Sequence, residues 1–414
     1  MKPIVYILLF VTALFLQSCT EPYVLQTETF ESALVIEATI TDEYKFQEIK
    51  LSRTYRMEED GPTPETNAVV YITDSNGNRY NFSESTDKYV SQQEFKALPN
   101  VTYQLHITTA DGKSYTSTDE KLSSLTNINT VTAAEGSIGN GEKGVQVLVN
   151  SNKTSNITEY YRYTFEETNK VIAPQWIDKM GKVTWFDPIP LVMPYGKFEM
   201  IDWPYEAKTC YSTENSKEIL QANSSTSSTN TTIYPIRFIK VNDYKIAVRY
   251  TIKVTLYNES LEAHNYYDAL KKTSTNGSLL SQSQPGFYIG NIKNLSDPKE
   301  KIIGFFDVSH VSSERIFFNF EDIFPDHKKP DYPYYCPEIT QLNKSDFLHR
   351  YCFCYSCPHP TGPGCDGNYI LKALYYKTKA VYEFIPGEEV YLVNIQCGDC
   401  TSFSSNVRPP FWVD

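Results

Sequence analysis

The stretch YCFCYSCPHPTGPGC, running from Tyr351 to Cys365, packs four cysteines into fifteen residues. Cys210, Cys336, Cys397 and Cys400 add four more thiols, and Cys19 stands apart near the start. Thiols so close together bind a metal, exchange electrons or close disulfides, and their spacing alone does not choose. A tetrahedral zinc site would use the two C-x2-C pairs, Cys354/Cys357 and Cys397/Cys400. The roughly forty residues between those pairs exceed the usual ribbon spacing. His349 and His359 flank the cluster and would either join a metal shell or serve as ordinary surface side chains. A redox centre at Cys397-Gly398-Asp399-Cys400 needs its first cysteine at a helix N-terminus, where the dipole lowers the thiol pKa. The next residues, TSFSSNVRPPFW, include two prolines and cannot continue as a long helix.

The cellular compartment decides between these chemistries. The chain opens MKPIVYILLFVTALFLQSCT, with Lys2 ahead of an apolar run from Ile4 to Leu16, the order of a secretory signal. The run is shorter than the about 20 residues that a spanning helix needs. Leu16-Gln17-Ser18-Cys19 resembles the lipobox of bacterial lipoproteins, which implies that Cys19 is acylated and becomes the first residue. Each buried lipid methylene contributes about 0.8 kcal/mol, so two or three acyl chains anchor a protein almost permanently. The expected plan is a signal peptide over 1–18 and a lipidated tether over 19–32, with the membrane reached through the lipid on Cys19. No Asp follows Cys19, which points to the outer membrane and leaves both its cell-surface and its periplasmic face open. In that oxidising compartment Cys210, Cys336, Cys352, Cys354, Cys357, Cys365, Cys397 and Cys400 are expected to form disulfides. Cys352 and Cys354 would lie on one face of a strand about 7 Å apart, too far to bridge each other comfortably. Each is therefore expected to find another partner, tying 336–365 to the C-terminal segment.

Other chemistry is sparse. The sequence has no H-E-x-x-H and no G-x-S-x-G, and DGKS at 111–114 lacks the upstream glycine of a phosphate loop. Asp74, Asn76 and Asn78 alternate like calcium ligands, but a hairpin turn accounts for them and the bidentate Glu is missing. We therefore expect no enzyme activity, no cofactor and no metal. Loss of residues 1–18 removes Lys2, one of 38 basic residues, and leaves 37 against 50 acidic side chains, a formal charge of −13. That balance disfavours nucleic acid as a partner. The segment 174–206 holds three of the four tryptophans, Trp176, Trp185 and Trp203, and five prolines with no clean period. It is expected to be either a long ordered loop against the core or an exposed recognition surface, because Trp offers large contact area at little entropy cost.

Strands must position these groups. ALVIEATIT, FQEIKLSRTY and AVVYITDSNGNRYNFSE alternate in the strand period, and Asn76-Gly77 and Asp111-Gly112 read as type I′ hairpin turns. The expected fold is mostly β: an N-terminal immunoglobulin- or transthyretin-like sandwich over 33–123, then a larger β domain over 124–414. In the latter, Val145, Val147 and Val149 share one face. KIAVRYTIKVTLYN alternates from Ile246 to Leu256, and SLEAHNYYDALKKT makes one short helix capped by Ser260. The cysteine-rich part, 336–400, closes the domain.

Together the SCTEPY start, LVIEATITDE with IKLSRT, the block GFYIGNIKNLSDPKEKIIGFFDVSHVSSERIFF and the ending CGDCTSFSSNVRPPFW resemble a Bacteroidota outer-membrane lipoprotein family named only as domain of unknown function 4249. Thr401 and Ser404-Ser405 depart from the basic residue and glycine pair usual there. The family is often encoded beside TonB-dependent receptors. The resemblance implies a non-enzymatic outer-membrane lipoprotein that assists a TonB-dependent transporter in nutrient uptake or captures its ligand. Two alternatives stand beside it: a surface glycan-binding or adhesive protein using the Trp-rich segment, and a structural envelope protein.

Overall fold

Apolar residues at every second position dictate strands, and β-strands dominate the computed structural model. It describes residues 32–55, 59, 61–139, 141–152, 158–185, 196–226, 231–275, 290–337, 339–343, 373–385 and 389–414. The lipobox, Cys352, Cys354, Cys357, Cys365, His349 and His359 lie outside the described residues.

Eight strands come first: β1 (Leu34–Thr41), β2 (Glu48–Arg53), β3 (Thr63–Pro64), β4 (Val69–Asp74), β5 (Arg79–Ser85), β6 (Lys88–Ser91), β7 (Tyr103–Thr108) and β8 (Ser114–Ser117). Nine more succeed them: β9 (Ile128–Ile138), β10 (Glu142–Asn152), β11 (Tyr160–Ile172), β12 (Lys179–Trp185), β13 (Gly196–Asp202), β14 (Thr209–Asn215), β15 (Leu220–Asn223), β16 (Thr231–Lys240) and β17 (Arg249–Glu259). Helix α1 (Leu261–Thr275) then leads to β18 (Ile292–Asn294), β19 (Ile302–Ser309) and β20 (Val311–Asn319). The chain ends with α2 (Phe320–Ile323), β21 (Thr340–Asn343), β22 (Lys379–Ile385), β23 (Glu389–Asn394) and α3 (Ile395–Gly398).

The first sheet has ten strands, in the order β18-β8-β7-β4-β5-β6-β2-β1-β19 with β3 beside β2. Its two edges are both supplied by the late return of the chain, so the sandwich-like unit spans 33–123 plus 292–309. The boundary expected at 123 assigns that second block to the larger domain instead. β19 lies parallel to β1, and a parallel pair cannot be made by a hairpin, so local turn signals do not announce it. The edges then meet. Asn291, just before β18, donates from Nδ2 to the Phe306 carbonyl at 2.9 Å and accepts the Phe306 N–H at 2.8 Å. A curled sheet buries its inner face, and Ile36, Leu51, Ile72, Leu105, Ile107 and Phe306 are at most 2% exposed.

The hairpins fall where the sequence places them, but their turns differ from type I′. Gly77 and Gly112 take φ of +84° while Asn76 and Asp111 do not enter the positive region. Gly77 N–H donates to Asp74 O and Gly112 N–H to Thr109 O, each at about 3 Å. This is a type I turn followed by a left-handed glycine, the three-residue hairpin loop.

A second sandwich faces β16-β10-β9 against β14-β11-β17-β20, with β15 on β11. Val145, Val147 and Val149 from one layer meet Tyr250, Ile252, Val254 and Leu256 from the other, all fully buried. Ile246 is buried too, but it sits in a short 3-10 turn ahead of β17. Ser260 caps α1, its Oγ accepting the Ala263 N–H at 3.0 Å. The Trp-rich segment is a strand pair: β12 and β13 form a hairpin, with Trp185 opposite Gly196. It packs with Ile177, Val183 and Met200 on the small sheet β21-β23-β22. Among the described residues no helix is long and apolar enough to cross a membrane.

Candidate functional site

The two sandwiches and α1 meet at one junction, and residues from six elements converge there. β1 contributes Thr39, paired in register with Asp307 of β19. β11 contributes Arg162, directly opposite Tyr257 of β17. α1 contributes His264 and Tyr267. The Arg162 side chain is 15% exposed and donates from Nε to Oε1 of the fully buried Glu259 at 3.0 Å. Its guanidinium lies 4.6 Å from the centres of both the Tyr257 and Tyr267 rings. Glu259 Oε2 also accepts from Gln221 Nε2 at 2.9 Å and contacts His264 Nδ1 at 3.1 Å. Burial opposes the charge on Arg162, yet Tyr267, Glu259 and Asp307 more than offset that and raise its pKa. Asp307 is 1% exposed, and burial pushes its carboxyl up to about 6 even though Ser309 and Arg162 pull the other way.

Above this cluster opens a cleft of about 350 Å³. Arg162 and Tyr257 line it together with Thr39 and Thr41 of β1, the loop from Lys45 to Gln47, and Glu48 at the start of β2. Gln47 holds that loop: its Oε1 accepts the Thr41 N–H at 3.1 Å, and its Nε2 donates to the carbonyls of Thr41, Glu43 and Phe95. Phe46 is thereby left 51% exposed at the mouth. Lys45 pairs with Glu43 and Glu48 with Lys88, both on the solvent side. The arrangement presents cations, hydroxyls and two aromatic rings to a common space. Pockets of a few hundred Å³ with a few converging polar groups are the usual form of small-ligand sites.

None of these cleft residues was singled out by sequence. A basic residue on a tyrosine-rich strand, as in EYYRYTFEET, is the one local signal that marks Arg162.

The candidates that sequence did single out divide. Cys210 bonds Cys400, and Cys336 bonds Cys397. Each member of the Cys397/Cys400 pair is thus committed to a distant sulfur, which removes that pair from both the zinc and the redox schemes. The expected tie from Cys336 to the C-terminal segment is present. Among the described residues no group of His, Cys, Asp and Glu is placed to hold a metal ion. Asp74 spends its oxygens on its own turn, accepting from the N–H groups of Asn76 and Asn78, the Asn78 amide and the Tyr80 hydroxyl.

Trp176 packs against the Cys210–Cys400 bridge with Val171 and Ala173, under the ammonium of Lys208. Trp203 donates from Nε1 to the Ile177 carbonyl at 2.8 Å and meets Tyr205 edge to face. With Tyr205, Lys377, Lys379 and Asp399 it lines a groove of about 20 Å³, space for a single water. The structure does not bring Trp176 and Trp203 onto one open face, and the Trp185 side chain lies outside the described residues.

The chain belongs to the family described as Domain of unknown function (DUF4249), whose model matches residues 20–315. The matched span contains every cleft residue, the whole first sheet and the second sandwich as far as the middle of β20, and it ends before Cys336. No curated protein matches the chain.

Proposed function

We propose that this DUF4249 chain is a non-enzymatic lipoprotein of the bacterial outer membrane, anchored through Cys19, that captures a small nutrient for a TonB-dependent transporter. The observation that carries this reading is the cleft between the two sandwiches. It gathers side chains suited to recognition, and its volume of about 350 Å³ suits a small solute. Two further features support it. Leu16-Gln17-Ser18-Cys19 resembles a lipobox, and the Cys210–Cys400 and Cys336–Cys397 bridges suit an exported protein. The Trp-rich hairpin supports glycan capture less well, because the groove beside Trp203 admits about one water and Trp176 is spent on packing.

Native pull-down of the chain from outer membranes tests the partnership, and the expected result is a co-purifying transporter barrel. Recovery of the chain with no barrel rejects it. Cys19→Ser should move the chain from the membrane to the soluble fraction, and continued membrane association would reject the anchor.

A further inference from the structure

The cleft carries a surplus of hydrogen-bond donors that the protein itself does not use. Arg162 has five N–H groups in a rigid fork. Nε is spent on Glu259, and one Nη2 hydrogen reaches Thr39 Oγ1 at a long 3.5 Å. Nη1 and the other Nη2 hydrogen have no hydrogen-bond partner among the described residues, and the residue lines the cleft. Among the same residues the Lys45 ammonium makes one contact, to Glu43, and the Tyr257 hydroxyl makes none. Against these donors the lining offers one carboxylate, Glu48, which is paired with Lys88. A donor-rich wall that retains unpaired hydrogens is completed by an acceptor.

The setting also fixes the geometry of that wall. Glu259 holds the Nε edge of Arg162, and the two tyrosine rings flank the guanidinium. Such a clamp prevents rotation of the fork, so its terminal nitrogens keep one direction without further loss of entropy on binding. Two parallel N–H groups match the two oxygens of a carboxylate or phosphate.

We infer that the cleft is an oxyanion-recognition site, in which the terminal nitrogens of Arg162 and the ammonium of Lys45 bind the carboxylate or phosphate of a small ligand whose body rests against Tyr257 and Phe46. This assignment rests on the capture reading and names the class of ligand captured. Arg162 sets the register of the ligand, and Lys45, at the rim, adds attraction.

The test is calorimetric titration of the purified lipidated chain in detergent with three phenyl probes: benzoate, phenyl phosphate, and neutral benzamide as the near-isostere of benzoate. The expected result is binding of benzoate, phenyl phosphate or both, with benzamide weaker by about tenfold or more. Binding of benzoate alone identifies a carboxylate ligand, and binding of phenyl phosphate alone a phosphate ester. Arg162→Gln alone would strand a buried carboxylate, so the variant is Arg162→Gln with Glu259→Gln, which should erase the preference for charge. Lys45→Gln, at an exposed position, should weaken the anions a few-fold and leave benzamide unchanged. Equal binding of all three probes, binding of none, or an unchanged preference in the double variant would overturn the inference. The transporter pull-down repeated with the double variant separates the readings. A barrel that still co-purifies while the anions fail in the wild type leaves the partnership standing and removes only the ligand class.

Discussion

At the scale of single residues, Asp307 makes the sharpest statement about the junction. Its carboxyl is buried behind Arg162, and burial raises its pKa to about 6. The folded protein therefore holds this proton more tightly than the unfolded chain does. The stability it contributes is complete below about pH 4, the ordinary value for Asp, and is lost as pH rises through 6. Asp307→Asn is neutral throughout, so the variant should gain on the wild type by up to about 3 kcal/mol between pH 4 and pH 7. Urea denaturation at the two pH values checks this, and a difference that stays constant with pH would refute it. Little of this was legible in the sequence. FFDVSH reads as strand, but what buries Asp307 is α1 and Arg162, and the latter lies 145 positions earlier in the chain. Trp176 and Trp203 stood out because tryptophan is rare, yet rarity marks packing as readily as recognition.

Among elements, the return of β18 and β19 into the first sheet was the feature least visible beforehand. Hairpins announce themselves through glycine turns, and Gly77 and Gly112 did so. A parallel strand arriving after nearly all of the second sandwich leaves no local mark. Its seam is nonetheless written in two glycines. A Cβ on Gly304 would stand 2.5 Å from the Ile36 carbonyl oxygen, and one on Gly290 would overlap the Gly304 carbonyl oxygen more deeply still. Both obstacles are backbone, which cannot swing aside as a side chain can. Gly304→Ala should therefore cost about 3 kcal/mol, near the upper end for overpacking in a close-fitted core. Gly77→Ala has open space around it and is opposed only by its positive φ, so it should cost less, about 1 kcal/mol. Thermal denaturation of both variants checks the order, and a Gly77 variant that melts below the Gly304 variant would show that the seam is not close-packed.

For the whole molecule, the alternating strands identified a mostly β chain and the eight cysteines beyond Cys19 pointed to bridges, because both depend on composition and short-range pattern. Connectivity could not be read the same way, since the sulfurs that pair are separated by 190 residues in one bridge and 61 in the other. Those separations say where the bridges matter. The two sandwiches have large cores of their own, built from residues 34 to 324. Among the described residues the C-terminal part has only small clusters, around Val381, Leu392 and Cys397. In the chain-entropy account, closing loops of this size removes about 4–5 kcal/mol of unfolded-state freedom per bridge. A part with little core should depend on that contribution, and a part with a large core should not. Peptide mapping without reductant should recover Cys210 joined to Cys400 and Cys336 joined to Cys397. After reduction, hydrogen exchange should quicken over β22, β23 and the tail to Trp412, while β1, β4 and β7 stay protected. Exchange that rises equally in all strands would show instead that the bridges hold the sandwiches themselves, and that the C-terminal part is no separate unit of stability.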